Sequence, residues 1–489
     1  MRLLNARSRG WVLFPFLLPV FFLIHAWQHY FGLINPGEVF RLLITYWAVT
    51  AFLFGGLWWL TKNKLHAALL CFMIMLPQFF WVDMLDWLKE KTSESIIAKI
   101  PVFFTLCVVA IFLLYRLFKN AKDETKNRVV FYLNWLFLIY ILVDCSILIK
   151  KNITSRKMLV SGAHPAALGT GTGWNLYFIL FDEYAGSKSL QEDYGFDNSG
   201  TDRFLQERNF SLQSDSRSNY PQTFFSMASL LNVNYLEGLN TQSVRPVDYR
   251  NALKDIRKSS VVKAFLQHGY QFNNSTYFEV NDMPALSENA YLPSGSLIIT
   301  AHTFYNTFMR DYLAILNLKP LRNVFNVNTY NDKMVARVID QAKASKSKPL
   351  FLYCHLSVPH APFYYGADGR LYPRDSVVYA DYHDRTRHYL YNVMHANKLM
   401  QTLVDSIRKY DPNAAILLLS DHGYRVPSDT VNVAPNYRNF NAVYYPDHNY
   451  TQFYNTISNV NVFRVVMNKI LGTNLALLPD STIRLTEAK

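Results

Sequence analysis

Cysteine is scarce in this chain: four in 489 residues, at Cys71, Cys107, Cys145 and Cys354. So few exclude a small disulfide-stapled fold. Three of them lie in long apolar runs. Cys354 stands alone in the remainder, so that part has no internal disulfide and depends on its core. Charge is also low: Asp, Glu, Lys and Arg make up 17%, against about 25% in ordinary soluble proteins. Half the residues are apolar, enough to bury a large core, which excludes intrinsic disorder. No internal repeat and no long low-complexity tract is present. The net charge of +13 is spread along the chain: residues 1–150 hold 15 basic and 8 acidic residues, a net +7, which leaves +6 for the rest. Without a basic stripe, nucleic acid is not an expected partner. Attraction to an anionic membrane surface accounts better for the excess.

The first third is dominated by long apolar runs. A transmembrane helix needs about 20 mostly apolar residues, and five segments qualify: Trp11 to Leu33, Val39 to Leu60, Leu65 to Leu85, Ile96 to Phe118 and Val129 to Ile149. The first follows Arg2, Arg7 and Arg9. It exceeds the apolar core of a signal peptide and has no small-x-small cleavage site, so a retained helix is expected. Basic residues concentrate at the N-terminus, at Lys62 and Lys64, and between Arg116 and Arg128. These segments are expected in the cytoplasm, and five spans then place the C-terminal domain outside. Lys150, Lys151, Arg156 and Lys157 run weakly against that rule but suit acidic lipid head groups. His25, His29, Glu38, Arg41, Asp83, Asp86, Lys99 and Asp144 lie toward the expected outer ends of the spans. They are either ordinary polar helix ends or a lipid-head-group site, since charge within a span is costly.

A Gly/Thr-rich stretch, residues 151–173, marks a linker. The expected organisation is a transmembrane domain at 1–150, that linker, and a catalytic domain at 174–489. In the last part, Leu176 to Phe181, Leu350 to Leu356 and Ala414 to Leu419 are fully apolar runs that suit buried parallel strands. Helical patterns lie between them, at Thr201 to Arg208, Val247 to His268 and Tyr389 to Lys409. The fold class is α/β with a mostly parallel central sheet covered on both faces. Sites in such sheets form at the C-terminal strand ends.

Those ends carry the chemistry. Asp182 and Glu183 follow the first run, and Asp421 and His422 follow the last. Both pairs are metal-type ligands. Thr223 opens an apolar helical stretch, where free backbone N–H groups favour an anion. A hydroxyl there, beside a divalent cation, loses its proton more readily and becomes a nucleophile; otherwise it is simply a helix cap. His355 and His360 stand five apart at the end of the middle run. They can contact phosphate oxygens or protonate a leaving group, or be ordinary hydrogen-bonded histidines. Arg217, just ahead of Thr223, is either a phosphate contact or a surface residue.

The order strand-Asp, Thr at a helix start, His-x4-His-x-Pro and strand-Asp-His-Gly resembles the alkaline phosphatase superfamily in its sulfatase-like branch. Five spans ahead of such a domain resemble the membrane-anchored lipoteichoic acid synthases and phosphoethanolamine transferases. Leu419-Ser420-Asp421-His422-Gly423 is the most specific piece, followed by the stretch from Thr223 to Leu236. The resemblance implies a metal site of Asp182, Thr223, Asp421 and His422 for one divalent ion, Zn or Mn, with Thr223 as nucleophile. It places His355 and His360 near the transferred phosphate or a second metal. The phosphoethanolamine transferases commonly carry a further histidine after Asp-His-Gly; here Tyr424 and Arg425 follow, which puts a full second metal site in doubt. Glu183 is an extra ligand or faces solvent. The segment Asn219-Tyr220-Pro221-Gln222-Thr223 lacks the Cys/Ser motif of formylglycine sulfatases, so sulfate-ester hydrolysis by that route is not expected.

The resulting expectation is a multi-pass protein of a bacterial inner or plasma membrane. It would transfer a phosphoethanolamine- or phosphoglycerol-type group from a phospholipid donor to a glycan or lipid acceptor. A hydrolase using the same site, and a catalytically dead receptor or assembly factor, are the alternatives.

Overall fold

The computed structural model describes residues 11–31, 34, 36–92, 100–154, 171–285, 296–308, 329–372, 384–425 and 432–487. Arg2, Arg7, Arg9, Lys99 and most of the expected linker lie outside them. The chain divides into two compact units. One comprises Met1–Arg156 and Leu292–Phe325; the other comprises Lys157–Tyr291 and Asn326–Lys489. The stretch 292–325, which the sequence reading places in the catalytic domain, thus belongs to the first unit.

The first unit contains α1 (Phe14–His29), α2 (Pro36–Thr61), α3 (Lys64–Thr92), α4 (Ile100–Asn120) and α5 (Asp123–Thr154). Helices satisfy their own backbone groups, as lipid requires. Four of the described helices are long and apolar enough to cross a membrane: Pro36–Thr61, Lys64–Leu88, Pro101–Asn120 and Asp123–Ile153. This corrects the expected five spans to four. The physical reason is length: α1 has 16 residues, about 24 Å at helical rise, against a hydrocarbon core of about 30 Å. The parity argument for the outside placement of the C-terminal domain rested on five spans and lapses with the fifth. Instead α1 is a packing element. Its Phe14, Leu18, Phe22 and Leu23 are buried, and Phe22 stacks on Phe79 of α3 at 4.6 Å. α3 carries a non-helical residue at Phe80, three residues after Pro77.

Some of the expected ionisable residues pair. His25 Nδ1 lies 3.1 Å from Asp144 Oδ2, and Lys151 Nζ donates to the carbonyl and Oε1 of Gln28 at 2.7 Å each. Two helical turns, Ser296–Thr300 and Phe304–Thr307, complete the described part of this unit. The Phe304 ring sits 4.8 Å from Trp81 and 6.0 Å from Phe104.

The second unit is the expected α/β fold. Its strands are β1 (Leu176–Phe181), β2 (Ser211–Leu212), β3 (Gln271–Ser275), β4 (Leu350–Leu356), β5 (Ala415–Leu419) and β6 (Asn441–Tyr444). They form one sheet in the order β2-β6-β5-β1-β4-β3. β3, β4, β1 and β5 run parallel, and β6 is antiparallel to β5. The three apolar runs are the three central neighbours β5, β1 and β4. Every residue of β1 is buried, and alternate side chains enter opposite layers, as strand geometry dictates. Leu176, Phe178 and Leu180 pack with one core; Tyr177, Ile179 and Phe181 pack with the other.

Helices cover both faces: α6 (Ser187–Tyr194), α7 (Ser199–Gln206), α8 (Thr223–Leu230), α9 (Pro246–Arg257), α10 (Ser260–Gln267), α11 (Thr329–Lys343), α12 (Arg385–Tyr410) and α13 (Asn459–Leu471). The expected helix from Val247 to His268 is two, α9 and α10. Ser259 breaks it by accepting a hydrogen bond from Val262 N at 3.1 Å, an N-cap.

Candidate active site

Parallel strands deliver their C-terminal ends to one edge of the sheet. β1 and β5 are in register at Leu180 and Leu419, so Asp182 and Asp421-His422 emerge side by side. β4 pairs His355 with Leu180, and Tyr277 follows β3. Thr223 is the first residue of α8, whose N-cap residue Gln222 is extended and makes no side-chain cap.

Asp182, Thr223, Asp421 and His422 meet there. Thr223 Oγ1 lies 3.5 Å from Asp182 Oδ1 and 3.3 Å from His422 Nε2. His422 Nε2 is 3.2 Å from Asp421 Oδ2. Asp182, Asp421 and His422 are the described residues whose ligand atoms cluster as a metal would require. Asp182, Asp421 and His422 are almost wholly buried and Thr223 is 8% exposed.

The surrounding hydrogen bonds fix which lone pairs point inward. His422 Nδ1 faces the Gly423 carbonyl at 2.8 Å, so it carries the proton and Nε2 presents a lone pair. Asp421 Oδ1 accepts from Glu183 N at 2.9 Å. Its Oδ2 is buried without a hydrogen-bond partner. Two lone-pair atoms facing each other at 3.2 Å in a buried place repel unless a cation lies between them. The donor set, one imidazole nitrogen with carboxylate and hydroxyl oxygens, fits a divalent metal such as Zn or Mn.

The Ser420–Gly423 turn is held rigidly. Ser226 Oγ donates to the Asp421 carbonyl at 2.6 Å, Asn459 Nδ2 donates to the same carbonyl at 3.0 Å, and Ser420 Oγ donates to the His422 carbonyl at 2.6 Å. Gly423 is required by close approach: a Cβ there would meet Pro435 O at 2.1 Å and Arg438 O at 2.8 Å.

Tyr277 is a site residue that the sequence reading missed. Its hydroxyl donates to Asp182 Oδ2 at 2.7 Å and lies 2.8 Å from His355 Nε2. His355 Nδ1 faces the Tyr353 hydroxyl at 3.0 Å. His355 is fully buried, with both ring nitrogens engaged by tyrosines behind Asp182. His360 is half-buried; its Nδ1 faces Ala361 O at 2.5 Å and its backbone N donates to Asp182 O at 3.2 Å. Arg217 is exposed, with its backbone bridged to Arg438 and Ser458. Among the described residues no hydrogen bond or ion pair joins its side chain to the cluster.

Glu183 is buried, not solvent-facing. Its φ of 62° is the left-handed conformation that non-glycine residues adopt only under constraint. Oε1 accepts from Arg425 N at 3.0 Å and lies 3.4 Å from Arg425 Nε. Burial opposes ionisation of both Asp182 and Glu183. His360 and His355 outweigh it for Asp182, and His360 and Arg425 outweigh it for Glu183. Both carboxyls are therefore held below their ordinary range.

The Sulfatase family model matches residues 182–467. The chain belongs to the Sulfatase family. This is the branch that the strand-Asp and Asp-His-Gly motifs resemble, and it makes the protein an enzyme. No curated protein matches the chain. Among solved structures it is similar to the lipooligosaccharide phosphoethanolamine transferase A of Neisseria meningitidis, at 11% identity and TM-score 0.41, over 91% of this chain and 76% of that one. It is also similar to the periplasmic domain of EptC from Escherichia coli, at 13% identity and TM-score 0.40, over 68% and 91%. A third is the phosphonate monoester hydrolase of Agrobacterium radiobacter, at 13% identity and TM-score 0.41, over 62% and 74%.

Proposed function

We propose that this Sulfatase-family enzyme is a membrane-anchored, metal-dependent transferase. It moves a phosphoethanolamine- or phosphoglycerol-type group from a membrane phospholipid to a hydroxyl of an envelope glycan or lipid. The observation that carries the reading is the position of Thr223 Oγ1, within 3.5 Å of both Asp182 and His422 at the start of α8. Four membrane-capable helices in the same chain support a lipid donor, because anchoring raises the local donor concentration.

Asp182, Thr223, Asp421 and His422 would hold one divalent cation, which supplies charge stabilisation where the nucleophile ionises. The Thr223 hydroxyl gives up its proton to water, and its oxygen attacks the phosphorus of the donor phosphodiester. The bond from phosphorus to the diacylglycerol oxygen breaks, and that oxygen takes a proton. In this scheme His360, half-buried beside the site, delivers that proton and takes one back from water. The group now esterified to Thr223 passes to the acceptor hydroxyl, and Thr223 regains its proton. His355 is a positioning residue in this scheme, holding Asp182 through Tyr277.

Mass spectrometry of the full chain after exposure to phospholipid vesicles tests this. A head-group phosphate adduct on Thr223 is expected, and it should be absent in Thr223→Ala. Undiminished activity in that variant rejects the reading. Labelled donor then separates transfer, which labels glycan or lipid, from hydrolysis, which releases free head group.

A further inference from the structure

We propose that Arg425 is the fixed cation that binds the oxygens of the transferred group, and that Glu183 positions it. This rests on the reading of the site as one for anionic group transfer. Three observations converge.

The first is charge. Asp182, Glu183 and Asp421 are buried carboxylates at one sheet edge, three negative charges against one divalent cation. The site would then hold one excess negative charge and repel an anionic substrate. Arg425 brings it to neutrality. Burial opposes the charge on Arg425, and Glu183, Asp182 and Asp421 outweigh it, raising its pKa.

The second is geometry. Glu183 holds Arg425 by both backbone and side chain, through Oε1. Oε2 stays buried with no hydrogen-bond partner, 3.8 Å from His360 Nε2. Arg425 Nη2 reaches to 3.4 Å from that same nitrogen. The guanidinium therefore lies on the His360 side of the cluster, with its side chain 32% exposed. Among the described residues no hydrogen bond engages its Nη1. The forked donors of arginine match two oxygens of a tetrahedral anion better than a lysine point charge does.

The third is backbone cost. Glu183 adopts φ 62°, and its backbone N is engaged by Asp421 Oδ1. The fold thus maintains a left-handed residue between a metal-type ligand and an arginine. An outward-facing carboxylate would need neither constraint.

The test uses the full chain in detergent, loaded with Zn, with inorganic phosphate as the calorimetric probe and metal content measured in parallel. Arg425→Ala is expected to weaken phosphate binding at least tenfold with metal content unchanged. Arg425→Lys should recover part of the loss. Glu183→Gln, which frees the guanidinium, should weaken phosphate binding in the same direction. Phosphate affinity within twofold of the parent in Arg425→Ala overturns the proposal. Loss of metal in that variant also overturns it, because Arg425 would then act on the metal site. Adduct formation at Thr223 is measured separately, so failure of the transfer reading is distinguishable from failure of this one.

Discussion

The Tyr277 hydroxyl ties Asp182 to His355, at 2.7 Å from the carboxylate and 2.8 Å from the ring nitrogen. Burial, and then the charge of Asp182, push the Tyr277 pKa well up, so the phenol keeps its proton and donates. Such outer partners orient metal ligands and typically matter 10–100-fold in metal affinity. Tyr277→Phe keeps the ring and removes the bond. Metal affinity, measured by chelator competition, is expected to fall by about tenfold or more; an unchanged affinity would show that Asp182 is held without it.

Gly423 tolerates no side chain. Gly423→Ala places a Cβ 2.1 Å from Pro435 O, and backbone on both sides leaves little room to shift. A loss of about 3 kcal/mol or more is expected from such overpacking, read as a lowered melting temperature of the full chain. Metal content should fall with it, since His422 Nδ1 is anchored on the Gly423 carbonyl.

Metal removal should destabilise the second unit. Asp182, Glu183 and Asp421 are buried together, and without a metal ion Arg425, paired with Glu183, offsets only part of their repulsion. Chelation is expected to lower the melting temperature, and reloading should restore it by mass action, about 2.7 kcal/mol at a hundredfold excess over Kd. Comparing Zn with Mn in the reload identifies the ion that restores activity. No shift on chelation would show that the cluster holds no metal.

Acid stability should carry the signature of His395. Its ring stacks on Tyr365 at 3.5 Å, and burial, then Lys398, push its pKa down to about 4. The folded state therefore holds it neutral. The stability this supplies is complete above its ordinary pKa of 6.5 and is lost as pH falls toward about 4. His395→Phe should flatten the melting temperature across that window, while the parent's declines.

The central sheet was legible because β5, β1 and β4 are buried on both faces and so read as unbroken apolar runs. β3 (Gln-Phe-Asn-Asn-Ser) lies at the sheet edge and carries polar residues, and β2 is two residues long; neither has a signal in sequence. Asp182, Asp421 and His422 were legible because they directly follow such runs. Tyr277 and Arg425 were not, since their roles arise from contacts with Asp182 and Glu183, far away in the chain. The first helix was overcounted as a span because apolar composition alone does not fix where a helix stops.

The grouping of the described residues 296–308 with the first unit has a practical consequence for dissecting the protein. Cutting the gene at the Gly/Thr-rich linker does not cut the structure at a seam. The fragment would still carry Phe304, whose aromatic neighbours Trp81 and Phe104 would be gone, leaving its ring without them. A well-behaved soluble version calls for excising that excursion along with everything upstream.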